Sequence, residues 1–222
     1  NTRQYITDVL CNKVFEKHDI LSLNYKPINL SINNRPSDLY FVEDFFSKYL
    51  IEKSRHRDSY IFTFQGLKHP SLKKISHEQQ DDIEAIKADL INDPNKIMDI
   101  DKFDTLVALL FIAQNKHPVL TDNLHFFYNN VTNKVEPLLR EVWFERPLVI
   151  KSENDLNNQI SFFVEKILSF NNNLKLYLDA ILMDKNRARE VFEKVLLVAN
   201  DIESITSKEE WKQMKNQIFT RF

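Results

Sequence analysis

The chain has 222 residues, 43% of them hydrophobic and 28% charged, with 30 basic against 32 acidic side chains and a net charge of −2. That length and mixture exclude a disordered polypeptide and allow one large hydrophobic core or two small ones. The balance of charge leaves no long-range field to draw in DNA, RNA or an anionic membrane.

A single glycine, Gly66, narrows the field further. Walker loops, dinucleotide turns and nucleophile elbows need glycine where the backbone takes positive φ or approaches a ligand closely, so none of them can be written here. The same scarcity argues against a fold of many tight hairpins. Cys11 is the only cysteine, which rules out an internal disulfide and a multi-cysteine zinc site. It reads as a small buried hydrophobe beside Val9, Leu10 and Val14. The longest fully apolar run, Leu106 to Ala113, falls far short of the roughly 20 residues that a membrane span needs. No secretory leader pattern is visible, and the expected location is intracellular, cytoplasmic or nuclear. The first residue is Asn1 and the last apolar pattern runs to Phe222. One helical domain over 1–222, a fragment of a larger protein, is the expected organisation, with any sub-boundary in 55–76 or 92–99.

In chain order the pattern reads as helix after helix. Residues 2–17 place Val9, Leu10 and Val14 on one stripe. The stretch from His18 to Pro36 reads as a loop with short extended segments. Pro36-Ser37-Asp38 opens a predicted helix over 37–54, with Leu39, Val42, Phe46, Tyr49 and Leu50 on a face widened by Phe41 and Phe45. Tyr60 to Phe64 alternates and favours a short extended segment. Ser76-His77-Glu78-Gln79 forms a capping box for a helix ending near Ile91. A helix near 100–116 carries the central apolar run. Thr121-Asp122 caps a predicted helix bearing Leu124, Phe127, Tyr128 and Val131, followed by another over 133–145.

Further on, Ser152 to Asp155 opens a helix over 153–170, where Leu156, Ile160, Phe163, Val164 and Ile167 repeat with the helical period. Asn171 to Asn173 make a turn, and helices follow over 174–183 and 188–202. Ser207 to Glu210 is a second capping box, leading a helix with Trp211, Met214, Ile218 and Phe222 on one face. The predicted class is all-α, an irregular antiparallel bundle or short solenoid-like stack of about nine or ten helices.

Few residue groups point to chemistry. Asp81, Asp82 and Glu84, with Asp89 beyond, resemble the aspartate-rich metal motif of helical prenyl-diphosphate enzymes, but Ala85 stands where that motif needs an acid. His117 and His125 can meet across Pro118, though a lone helix-end histidine usually caps carbonyls, and His77 lacks a second histidine four residues on. Arg55-His56-Arg57 with Lys68, Lys73 and Lys74, interleaved with Tyr60, Phe62 and Phe64, is the one basic-aromatic stretch, over 55–74. Such interleaving serves single-stranded nucleic acid when the rings are free to stack. Trp143, Phe144 and Arg146 at a predicted helix end, and Trp211 near the C-terminus, are the expected protein-binding residues, of the types enriched at interface centres.

In texture, with long helices rich in Phe, Leu and Asn, the chain resembles the helical rods of vesicle-tethering and nuclear-pore scaffold subunits. That likeness covers no motif. The expected function is a non-catalytic scaffold or adaptor that binds other subunits of an assembly, with no cofactor, no metal and no catalytic residue. A nucleic-acid module on 55–74 and a metal-dependent enzyme on Asp81, Asp82 and Glu84 are its rivals.

Overall fold

A computed structural model describes residues 5–23, 25–33, 38–44, 47–57, 59–65, 77–120, 123–138, 140, 142, 144 and 148–213. Its elements run α1 (Tyr5–Lys17), β1 (Tyr25–Leu30), β2 (Asp38–Glu43), α2 (Lys48–Lys53), β3 (Ile61–Phe62), α3 (His77–Asn92), α4 (Pro94–Ile97), α5 (Ile100–Ala113), β4 (His125–Asn129), β5 (Lys134–Leu138), α6 (Glu153–Phe170), α7 (Lys175–Met183) and α8 (Lys185–Thr206). The all-α expectation is therefore corrected to a mixed α/β fold. β1 and β2 form a two-stranded antiparallel ribbon, and β3, β4 and β5 form a three-stranded antiparallel sheet with β4 central.

Three predicted helices are largely or partly strands: the one over 37–54, the one opened by Thr121-Asp122 and the one over 133–145. Most of the first half of the 37–54 segment is β2, paired with β1 from Tyr25 opposite Glu43 to Leu30 opposite Asp38. Only Lys48–Lys53 is helical there, with Ser47 Oγ accepting from the Leu50 amide at its start. The segment 121–145 contains the β4–β5 hairpin, in register from His125 opposite Leu138 to Asn129 opposite Lys134. Both stretches are rich in aromatic and β-branched residues, whose side chains pack well on a pleated surface. Pro137 is tolerated because β5 is the sheet's outer strand.

Asparagine supplies what glycine does not. Asn133 closes the β4–β5 turn at φ 54°, and the Asn129 side-chain oxygen accepts from the amides of Val131 and Thr132. The helix ends show the same substitution. Asp19, Arg55 and Gln114 sit at φ 54°, 62° and 52° just past α1, α2 and α5. In each case the next amide bonds back to the carbonyl five residues earlier: Ile20 to Phe15, His56 to Ile51, and Asn115 to Leu110, each at 3.0 Å. This is the Schellman closure, made without glycine at the left-handed position.

α1, α3, α5, α6 and α7 lie close to their predicted bounds, α8 extends beyond 188–202 at both ends, α4 has no predicted counterpart, and Met214, Ile218 and Phe222 of the last predicted helix lie outside the described residues. Asp99 caps α5 by accepting from Lys102, and Ser152 caps α6 by accepting from Asp155. α5 is the centre of the molecule. Phe103, Leu106, Val107, Ala108, Leu109, Leu110, Phe111 and Ala113 are all buried, and α5 packs on α8, α6 and β5. A helix apolar all round its circumference needs cover on every side. Rings link the layers: Phe62 stacks on Phe126, Phe126 on Phe103, and Phe103 meets Tyr177 of α7 edge-on at 5.7 Å.

Replacing Asn133 with alanine forces an ordinary residue into the left-handed region and removes the acceptor of the Tyr128 hydroxyl. A loss of about 1 kcal/mol is expected in urea unfolding, whereas Asn133→Gly keeps the backbone shape and costs clearly less. Equal losses for the two variants would show that the turn does not depend on positive φ.

Candidate functional site: buried charge networks and an uncovered ribbon

Three elements meet at Glu136. The side chain of this β5 residue is 1% exposed, and its oxygens take donors from three directions. Lys102 Nζ of α5 and His56 Nε2 reach Oε2 at 2.8 and 3.1 Å, and Asn129 Nδ2 reaches Oε1 at 2.7 Å. The same Asn129 shapes the hairpin turn, so the turn and the buried carboxylate are set by one side chain. His56 Nδ1 lies 2.8 Å from the Ser54 carbonyl, and Phe127 meets the imidazole edge-on. Burial pushes the Glu136 carboxyl up, but the bonds from His56, Lys102 and Asn129 outweigh it and hold it below its ordinary 4.5. The bond to Glu136 raises His56 above 6.5, against the opposing effect of burial.

A second network lies on the other side of α5. Arg187 of α8 makes a two-pronged contact with Asp104, Nη2 to Oδ1 at 2.6 Å and Nη1 to Oδ2 at 2.9 Å, and the Tyr177 hydroxyl donates to Oδ1 at 2.9 Å. Burial pushes the Asp104 carboxyl up, opposed by Arg187 and Tyr177. A third network ties the end of α1 to α8. Lys17 and His18 both reach Asp201, His18 at 2.7 Å. Burial raises Asp201, and these two partners bring it below its ordinary 3.8.

In each network the charged groups are satisfied by partners within the fold. Both ring nitrogens of His56 face oxygen atoms of the chain itself, the Ser54 carbonyl and the Glu136 carboxylate. Among the described residues no group of three or more histidine, cysteine or acidic side chains is placed to hold a metal ion. Asp81, Asp82 and Glu84 lie exposed on α3. Asp82 accepts from the Tyr60 hydroxyl, and Glu84 accepts from Gln80 and Lys87. Asn123 stands between the two histidines near Pro118, its amide nitrogen 3.2 Å from His117 Nε2 and its carbonyl 2.8 Å from His125 Nδ1. Cys11 is buried, and that burial pushes its thiol well above the ordinary value.

The basic-aromatic stretch does not present its rings. Phe62 is fully buried, Phe64 packs edge-on against Phe126, and Tyr60 stacks on Tyr128. Lys68, Lys73 and Lys74 lie outside the described residues, as do Trp143 and Arg146. Phe144 is half-buried against the core, and its amide donates to Thr7 Oγ1. Trp211 is buried too, at the floor of a cleft between α1 and the end of α8 lined by Lys13, Lys17 and Lys208. A larger cleft of about 670 Å³ runs between α6, α7 and α8, with Ile160, Ile181, Phe192 and Leu196 among its lining residues.

The ribbon is the feature that sequence reading missed. Tyr25 faces the core and Phe41 packs partly against it. The opposite face carries Ile28 opposite Tyr40 and Lys26 opposite Val42, with Leu30 two residues beyond Ile28. Ile28, Leu30, Tyr40 and Val42 are 36%, 38%, 42% and 44% exposed. Large apolar side chains on both faces mark a strand pattern built for burial on both sides, whereas β1 is exposed from Lys26 to Leu30 on either face. No family model matches the chain, and no curated protein is similar to it. Among the described residues no helix is long and apolar enough to cross a membrane.

Removing one partner of a buried pair leaves the other uncompensated. Arg187→Met is expected to cost about 3 kcal/mol in urea unfolding, and Lys102→Met clearly less, because Glu136 retains His56 and Asn129. A larger loss for Lys102→Met would mean that Lys102 is the indispensable donor. The lowered carboxylates fix the acid limb. Glu136 contributes fully above pH 4.5, its ordinary value, and its contribution disappears as the pH falls through the lower folded value. Unfolding midpoints should fall below pH 4.5 in the native chain, and more shallowly in Glu136→Gln.

Proposed function

We propose that this chain is a non-catalytic protein-binding module of a larger assembly, and that the outward face of the β1–β2 ribbon receives an amphipathic helix from its partner. The supporting observation is the set of four large apolar side chains held in register on that face. A two-stranded ribbon on its own is marginally stable in water, and a sheet face gains stability when another layer packs on it. The dimensions favour a helix. Two strands about 4.8 Å apart present a width close to the 10 Å diameter of an α-helix. Six residues of strand extend about 20 Å, the length of some 13 helical residues.

The internal networks add to this reading. Glu136, Asp104 and Asp201 are bonded inside the fold, so the groups with perturbed titration serve structure. Burying an apolar side chain contributes about 25 cal/mol per Å² removed from water, and that is the gain a partner would draw from the ribbon face.

A displayed library of helical peptides tests the proposal, with binding mapped by amide shifts. Enriched peptides should carry apolar residues at i, i+3, i+4 and i+7, and should perturb residues 26–32 and 40–43. The pair Ile28→Lys and Tyr40→Lys should abolish binding while shifting stability by only about 0.5 kcal/mol, as exposed positions allow. Binding that maps elsewhere, or no enrichment at all, would overturn it. A dimer dispersed by the same pair of substitutions would replace the helical ligand with a second copy of this chain.

A further inference from the structure

His56 stands between two acceptors, the Ser54 carbonyl at Nδ1 and the Glu136 carboxylate at Nε2, at 2.8 and 3.1 Å. Both contacts are hydrogen bonds only when both ring nitrogens carry protons. A neutral imidazole has one proton, and its other nitrogen then turns a lone pair on an oxygen about 3 Å away.

The cost of that mismatch is not shared equally. Glu136 keeps Lys102 on Oε2 and Asn129 on Oε1, so the buried carboxylate stays satisfied when His56 is neutral. The segment 54–57 has less to hold it. Among the described residues it is held by the backbone bonds of Ser54, Arg55 and His56 into the last turn of α2 and by the side chain of His56. It also contains Arg55 at φ 62°, a left-handed conformation that costs a non-glycine residue free energy. The charged groups around the ring come from every neighbouring element. Glu136 faces it from β5 and Lys102 from α5, with Asp99 at the start of that helix. Glu16 and Asp19 face it from the end of α1, and Lys53 and Arg55 from its own segment, across a shared cleft of about 270 Å³.

We propose that His56 is a pH-dependent latch. When protonated it ties segment 54–57 to the β3–β4–β5 sheet; when neutral it releases that segment and opens the cleft between α1 and α2, leaving Glu136, Lys102 and Asn129 in place. The direction of titration agrees with this, because the Glu136 bond raises the latched histidine above 6.5. The latch is complete below pH 6.5 and is lost as the pH rises through the raised value. Between those two points the opening equilibrium increases by about tenfold per pH unit.

Hydrogen exchange and imidazole resonances of the intact chain between pH 5.5 and 9 test this. The expected result is a His56 ring protonated on both nitrogens at pH 6. Exchange of amides 54–57, corrected for intrinsic rate, should then rise steeply above pH 6.5 while amides 103–111 stay protected. His56→Asn, which cannot donate to both acceptors, should show open-segment exchange at every pH. Glu136→Gln should return the histidine to near 6.5. If the His56→Asn variant fails to fold, the native pH series decides alone. A ring that is singly protonated at pH 6, or a 54–57 segment whose protection tracks that of α5 across the range, would overturn the latch.

Discussion

The fold depends on burying α5, and one turn of that helix shows how both of its sides are tied down. Lys102 and Asp104 are two residues apart and point to different layers. Lys102 reaches Glu136 on the sheet, and Asp104 reaches Arg187 on α8. From Leu106 onward the helix is apolar around its whole circumference, so it can be stable only between two covering layers. Apolar packing alone would let such a helix rotate or slide with little penalty. Two charges of opposite sign on one turn make those alternatives costly, because a shifted helix would take Lys102 away from Glu136 and part Asp104 from Arg187 and Tyr177 in the interior. Specificity of register is the best-attested use of such buried ionic groups.

The scarcity of glycine was informative about function classes and misleading about turns. The absence of glycine-rich phosphate loops follows from sterics and holds whatever the fold. The inference that hairpins are disfavoured assumed that glycine alone supplies positive φ. Asn133 takes that role in the β4–β5 turn, and Asp19, Arg55 and Gln114 take it at three helix ends. Asparagine and aspartate tolerate the left-handed region better than other residues, and the chain has 22 asparagines to draw on. Arg55 and Gln114 have no such excuse. There the Schellman bonds and the buried neighbour at the next position, Asn115 after Gln114, must outweigh the local strain.

What was legible follows from which interactions are local. Capping side chains act within three residues, and the start of α6 at Ser152 was readable for that reason. Helical periodicity on α6 is likewise a local signal, and its bounds matched. The strands were lost where an aromatic-rich run such as Asp38–Glu43 satisfies a helical stripe and an alternating one equally well, and only pairing with Tyr25–Leu30 decides between them. The Glu136 centre was out of reach. His56 lies 80 positions from Glu136, and nothing near either residue announces the other. One signal was available: a glutamate inside the apolar alternation of KVEPL, at a position where the strand turns its side chain inward.

The two kinds of feature on this molecule sit in opposite relations to their surroundings. Its buried charges are closed systems, each donor matched to an acceptor supplied by another part of the same chain. The β1–β2 ribbon is open, with an apolar face that the fold does not cover. Ile28, Leu30, Tyr40 and Val42 on that face each leave more than a third of their surface in water. Under the proposed function their presence is explained by burial against a partner's surface. The ribbon emerges from the body beside α1 and returns through α2 to the segment that His56 holds. The uncovered face and the titratable latch are therefore joined by one continuous stretch of chain. Any layer that settles on the ribbon stabilises a segment whose far end is already fastened below pH 6.5 and loosened above it. Linkage requires the reciprocal effect if the two ends communicate, with a bound partner raising the proton affinity of His56.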